Sequence, residues 1–173
     1  IPYLPENLDA GVVLVQHMPK GFTASLAMRL NSLSKAVVKE AEDGEVIEKG
    51  HVYIAPGGMH IIIAQSGKNH VIRYSDQPPV DGLRPCANIM FESLSDTDYD
   101  DITCVVLTGM GADGTKGIQS LVDKGRRVHV IAQDAESCIV YGMPRAIAEA
   151  GLANEIQPLN KISESIIKNV GVM

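Results

Sequence analysis

Residues 102–132 read ITCVVLTGMGADGTKGIQSLVDKGRRVHVIA, and this stretch decides the fold. It opens on Ile102–Leu107, a short apolar run rich in Val that reads as a buried strand. Asp113–Lys124 follows as a helix ended by Gly125. Arg127–Ala132 is then a second buried run. Strand, helix and strand in immediate succession form a βαβ unit, whose strands run parallel because the helix carries the chain back across the sheet.

The same alternation extends in both directions. Gly11–Gln16 (GVVLVQ) is another Val-rich strand, and Gly21–Leu33 carries Phe22, Leu26, Leu30 and Leu33 near helical spacing. Val37–Ala41 is a weak strand. Val52–Ala55, His60–Ala64 and His70–Tyr74 are short runs separated by Pro-Gly-Gly and Ser-Gly-Lys-Asn turns, and read as an antiparallel excursion. Pro85–Leu94 reads as a helix with Pro85 in its first turn. Pro144–Ala150 is a helix stopped by Gly151, and Ile162–Val170 is the last. The expected fold is α/β: a doubly wound, mainly parallel sheet with helices on both faces and a short antiparallel excursion. In such sheets ligands sit beyond the carboxyl ends of the strands, so chemistry is expected just after Gln16, Leu107 and Ala132.

With 173 residues, 45% of them hydrophobic, the chain suits one domain around one core. A net charge of -6 argues against a basic face for nucleic acid, and the absence of Trp argues against a stacking platform for single strands. No apolar run approaches the length of a bilayer span. Ile1–Pro5 lacks the regions of a signal peptide and an initiator Met, so the chain is expected to be a piece of something longer. Cys86, Cys104 and Cys138 are odd in number and far apart. They read as small buried residues in a reducing cytoplasm, not as a disulfide framework or a zinc site.

Two stretches stand where chemistry is expected. Gln16-His17-Met18-Pro19 follows one buried strand, and Thr108-Gly109-Met110-Gly111-Ala112-Asp113-Gly114 follows another. Glycines there allow a sharp turn and close approach to a ligand, and Asp113 suits a helix N-cap. If His17 and Asp113 both sit at the carboxyl edge of the sheet, they can meet. The carboxylate would then fix the imidazole tautomer, and the other ring nitrogen could take a proton from a hydroxyl nucleophile. The N–H groups of the glycine turn could hold an oxyanion. A second reading stays open. Gly109, Gly111 and Gly114 spell G-x-G-x-x-G between a strand and a helix, with Asp134 after the next strand, which is the dinucleotide fingerprint in its usual context. No G-x-S-x-G elbow occurs, and none of the serines present sits on a sharp strand-to-helix turn.

Five stretches together resemble the catalytic domain of the chemotaxis protein-glutamate methylesterases. They are Val15–Pro19 with Gly21-Phe22-Thr23, Val52–Gly58, Arg84-Pro85, Leu107–Gly114 and Tyr141–Arg145, in the family's order and over nearly the whole chain. The resemblance implies hydrolysis of glutamyl methyl esters, and deamidation of glutamine, on methylated chemoreceptors. It implies no metal and no organic cofactor. The family's catalytic His falls on His17, its Asp on Asp113 and its backbone oxyanion donor on Met110. Gly58, Met59 and Cys86 depart from the family's usual Asp, His and Ser at those places. The family's nucleophilic Ser lies in a turn after the first strand, upstream of the His-bearing strand. Ile1–Leu4 resembles the tail of the intervening helix. The resemblance therefore implies that residues 1–173 lack the first strand and the nucleophile turn, that this chain alone is inactive, and that a regulatory receiver domain belongs to the full-length protein. Because chemoreceptor ester regions are rich in carboxylates, Arg84 and Arg145 are expected to contact substrate. A non-catalytic receptor-binding relative is the alternative within the family.

Overall fold

The βαβ unit of residues 102–132 is present in the computed structural model, which describes residues 1–173. In chain order the elements are β1 (Val12–Leu14), α1 (Phe22–Leu33), β2 (Val37–Glu40), β3 (His51–Ile54), β4 (His60–Ser66), β5 (Asn69–Ser75) and α2 (Ala87–Ser93). They continue with β6 (Ile102–Val106), α3 (Thr115–Asp123), β7 (Val128–Gln133), α4 (Met143–Glu149), β8 (Glu155–Gln157) and α5 (Leu159–Val170). Strands β1, β3 and β2 pair in parallel in that order, and so do β6, β7 and β8. β4 and β5 form an antiparallel hairpin. The fold is the expected α/β architecture, with parallel sheets flanked by helices and a short antiparallel sheet.

One core joins the two parallel sheets. Tyr53 and Ala55 share a cluster with Cys104, Val106, Val130 and Ala132, and α2, α3 and α4 close it with Met90, Phe91, Ile118, Leu121 and Ile147. On the opposite face, Val52 and Ile54 pack with Val38 against Ala27 of α1. Strand β3 thus buries alternate residues on both faces, the condition of a central parallel strand. α5 lies against β6 and β7.

Four expectations need correction. Val52–Ala55 is not part of the antiparallel excursion: β3 is the centre of a parallel sheet, pairing Val52 with Val12 and Val38. The helix read from Pro85 begins at Ala87, because Cys86 is still extended at φ -125°, ψ 128°. The helix read from Asp113 begins at Thr115 and is capped by Gly114 in the left-handed region at φ 97°, so Asp113 is not its N-cap. In α1 the buried residues are Thr23 and Ala27, while Phe22 and Leu33 of the expected apolar stripe are exposed. Strand β8, Glu155–Gln157, has no counterpart among the strands expected from the sequence.

Candidate active site

His17 leaves the carboxyl end of β1 in a tight reversal, with the Met18 N–H donating to the Gln16 carbonyl at 2.8 Å. The loop after β3 is pressed against this reversal. A Cβ on Gly57 would stand 2.4 Å from the Pro19 carbonyl carbon and oxygen, so only glycine fits there. Fully buried Thr23 ties the two together: its hydroxyl accepts from the Gly57 N–H at 2.8 Å and donates to Glu40 Oε1 at 2.5 Å. His17 is held by backbone packing from one side.

From the other side comes Asp113, seven residues beyond the end of β6. His17 Nε2 and Asp113 Oδ2 are 2.6 Å apart, with side-chain exposures of 26% and 3%. The carboxylate also accepts from the Ala87 N–H at 2.7 Å, the Asn88 N–H at 2.9 Å and the Cys86 thiol at 3.1 Å. It thereby caps the first turn of α2, not of the helix that follows it in sequence. Burial alone would push the Asp113 carboxyl up. The hydrogen bonds from His17, Ala87, Asn88 and Cys86 outweigh burial and hold it at about 2. An ionised carboxylate only accepts, so His17 Nε2 carries the hydrogen, and neutral His17 keeps its lone pair on Nδ1. Burial and the neighbouring carboxylate push the Cys86 thiol up to about 11, so it is a protonated donor and no thiolate nucleophile. Cys104 is buried, while Cys138 is only partly so, against expectation.

Beside the pair runs the glycine turn. Gly109 meets Gly142 at backbone distance: the Gly109 carbonyl accepts from the N–H groups of Gly142 and Met143 at 3.1 and 2.8 Å. A Cβ on Gly142 would lie 2.6 Å from the Gly109 oxygen. Buried Gln133 braces the start of the turn, accepting from the Thr108 N–H at 2.8 Å and donating to the Ser137 carbonyl at 2.8 Å. The N–H groups of Met110, Gly111 and Ala112 meet no acceptor within the protein, and Met110 is 85% exposed. These free N–H donors immediately precede Asp113 in the chain. Ser137 is fully engaged by Asp134, Gln133 and the Leu159 N–H, a structural role.

The dinucleotide reading meets an obstacle. The Gly114 and Gly117 N–H groups at the start of α3 already donate to Asn88 Oδ1, at 2.9 and 2.8 Å, instead of facing a pyrophosphate. Asp134 accepts from the Ser137 N–H and hydroxyl.

A cleft of about 230 Å³ opens next to the pair, lined by His17, Met18, Pro19, Gly82, Leu83, Arg84 and Pro85. Arg84 thus shares the cleft with His17. Its Nη2 reaches the Ser75 carbonyl at 3.4 Å and Met59 Sδ at 3.8 Å, and its buried Nε has no partner. Arg145 is not in the cleft. It is an exposed surface residue paired with Glu149 at 3.3 Å along α4. Nothing in the sequence singles out Gln133 or Asn88, and Thr23 enters only as part of the family-like stretch Gly21-Phe22-Thr23. No local pattern announces Asn88, because its partners lie 26 and 29 residues away.

Fold and pair together define a doubly wound α/β protein with a His–carboxylate dyad at its strand ends, the arrangement that activates a hydroxyl nucleophile. The chain belongs to the CheB methylesterase family, whose model matches residues 1–166. It is 47% identical over 172 residues to the protein-glutamate methylesterase/protein-glutamine glutaminase of Desulfotalea psychrophila, covering 98% of this chain and 47% of that protein. To the Bacillus subtilis protein of the same name it is 47% identical over 167 residues, covering 96% of this chain and 46% of that one. The chain spans about half the length of these relatives. The crystal structure of the Thermotoga maritima CheB methylesterase catalytic domain superposes with a TM-score of 0.93 at 42% identity, covering 98% of this chain and 89% of that one.

Proposed function

We propose that residues 1–173 are most of the catalytic domain of a protein-glutamate methylesterase that also deamidates glutamine, acting on methylated chemoreceptors. The observation that carries the reading is the 2.6 Å contact between His17 and Asp113 beside a cleft. Its chemistry is acyl transfer. A serine hydroxyl from outside residues 1–173 attacks the side-chain ester carbonyl and gives its proton to His17. The oxyanion settles on the Met110 N–H. His17 returns the proton to the leaving methoxide, and methanol departs. Water then attacks the acyl-enzyme by the same route, leaving a carboxylate and the free serine. With glutamine, ammonia leaves instead. Asp113 keeps the imidazole in one tautomer throughout.

The arrangement of the sheets supports a serine brought in from outside residues 1–173. β1 pairs on one side only, with β3, and β6 on one side only, with β7, yet His17 and Asp113, which follow these two edges, meet. One further parallel strand between β1 and β6 would deliver a turn to the dyad. By likeness to relatives about twice as long as this chain, a full-length protein is proposed to carry a regulatory receiver domain as well. Arg84 lines the acyl cleft, and Arg145 guides carboxylate-rich receptor segments from the surface. A cytoplasmic location fits three free cysteines, and no helix is long and apolar enough to cross a membrane.

The test is methanol release from methyl-esterified receptor by the full-length protein. The reading predicts release that His17→Ala abolishes. Wild-type protein that releases no methanol, or a variant that matches it, would refute the reading.

A further inference from the structure

We propose that Asn88 is a positioning residue that locks the Asp113 carboxylate and the glycine turn into one rigid unit; the proposal rests on the esterase reading above. Asn88 holds both partners at once. Its backbone N–H donates to Asp113 Oδ1 at 2.9 Å, while its side-chain Oδ1 accepts from the N–H groups of Gly114 and Gly117 at 2.9 and 2.8 Å. Neither α2 nor α3 has a side-chain cap from its own N-cap residue, Cys86 or Gly114. Each helix is capped by the other: Asp113 serves the first turn of α2, and Asn88 serves the first turn of α3.

The exchange requires close approach, and Gly117 provides it. A Cβ there would stand 2.7 Å from the Asn88 carbonyl oxygen and 2.9 Å from its Cα. The turn is then clamped at both ends. Gly109 is held by Val140, Gly142 and Met143, and Gly114 is held by Asn88. Between the clamps stand the free N–H groups of Met110, Gly111 and Ala112, and Asp113 itself. Without the Asn88 amide oxygen, two helix N–H groups lose their acceptor, and Gly114 is released next to Asp113. The carboxylate then drifts from His17 Nε2 and the oxyanion donors drift from the carbonyl they serve. Both losses fall on the transition state. Of the cleft residues only His17 is coupled to Asn88, through Asp113; the Asn88 amide oxygen hydrogen-bonds to Gly114 and Gly117, which do not line the cleft. Turnover falls and substrate affinity stays.

Only the acceptor oxygen of the amide is used, so a carboxylate can replace it. The test therefore compares Asn88→Ala with Asn88→Asp in the full-length protein. Two readouts are taken: steady-state hydrolysis of a small glutamyl methyl ester, and the downfield proton resonance of His17 Nε2–H bonded to Asp113. For Asn88→Ala the expected result is a kcat lower by about 10²-fold at unchanged KM, the scale of a small misplacement of catalytic groups. The Nε2–H resonance should broaden or vanish, and Asn88→Asp should restore both. An Asn88→Ala enzyme with wild-type kcat would overturn the proposal. So would parallel losses in kcat and KM that Asn88→Asp does not rescue, which mark a general packing role. If the wild-type protein hydrolyses no ester, the esterase reading fails and the resonance decides alone: an Nε2–H signal intact in Asn88→Ala overturns the positioning role, and its loss sustains it.

Discussion

Asp113→Asn removes one charge and half the acceptors at the most connected point of the site. The carboxylate takes four hydrogen bonds, two on each oxygen: Cys86 and Asn88 on Oδ1, His17 and Ala87 on Oδ2. An amide keeps one oxygen. Whichever way it turns, its NH2 faces a backbone N–H, and a buried donor left unpaired costs about 1–3 kcal/mol. The lowered carboxyl value gives a second figure for the same contacts. Its fall from 3.8 in an unstructured chain to about 2 corresponds to roughly 2 kcal/mol of stability. The two figures describe overlapping interactions, so a loss of roughly 2–3 kcal/mol at pH 7 is expected. Because the folded value lies below the unfolded one, this stabilisation is complete above 3.8 and is lost as pH falls through about 2. Wild type should therefore lose its advantage over the variant in that window. Urea unfolding of both proteins from neutral pH to pH 2 reads it directly. In the full-length enzyme turnover should drop by about 10⁴-fold, because an amide that donates to His17 selects the wrong tautomer. Equal urea midpoints at pH 7, or a gap that persists unchanged to the acid end, would refute the reasoning.

Three further outcomes follow from the packing around the dyad. Thr23→Val leaves the buried Gly57 N–H without its acceptor and should cost about 1–3 kcal/mol in urea unfolding, with a loss of turnover as the His17 loop loosens. Arg145→Glu should slow demethylation of intact receptor while a small ester is hydrolysed normally, since its exposed pair with Glu149 contributes little to stability; equal losses on both substrates would show a structural role. NAD and NADP should show no micromolar binding by calorimetry, because Asn88 occupies the start of α3; binding lost in Gly111→Val would restore the dinucleotide reading.

Much of this was legible in the sequence where the signal is local. Ile102–Leu107 and Arg127–Ala132 are apolar because β6 and β7 are buried, and the His17 and Asp113 stretches follow strands directly. What was illegible depends on distant partners. Val52–Ala55 is flanked by turn residues that suggest a hairpin, but its partners are Val12 and Val38, chosen by the sheet and not by the flanking turns. Glu155-Ile156-Gln157 is an edge strand of three residues, too short and too polar to show a period. Asp113 has the residue type and position of an N-cap for its own helix. Its acceptors face α2 instead, because Gly117 brings that helix within hydrogen-bond reach. Arg84 and Arg145 look alike in sequence, and only the fold separates a cleft residue from a surface one.

Labelling by a fluorophosphonate probe asks whether a serine outside residues 1–173 is the group that His17 and Asp113 activate. Residues 1–173 are compared with the same chain extended upstream through the turn that bears the family's serine, each with and without His17→Ala. The account predicts labelling of the extended protein alone, abolished both by His17→Ala and by replacing the serine of that turn. Labelling of residues 1–173 themselves would place the nucleophile inside this chain and contradict it.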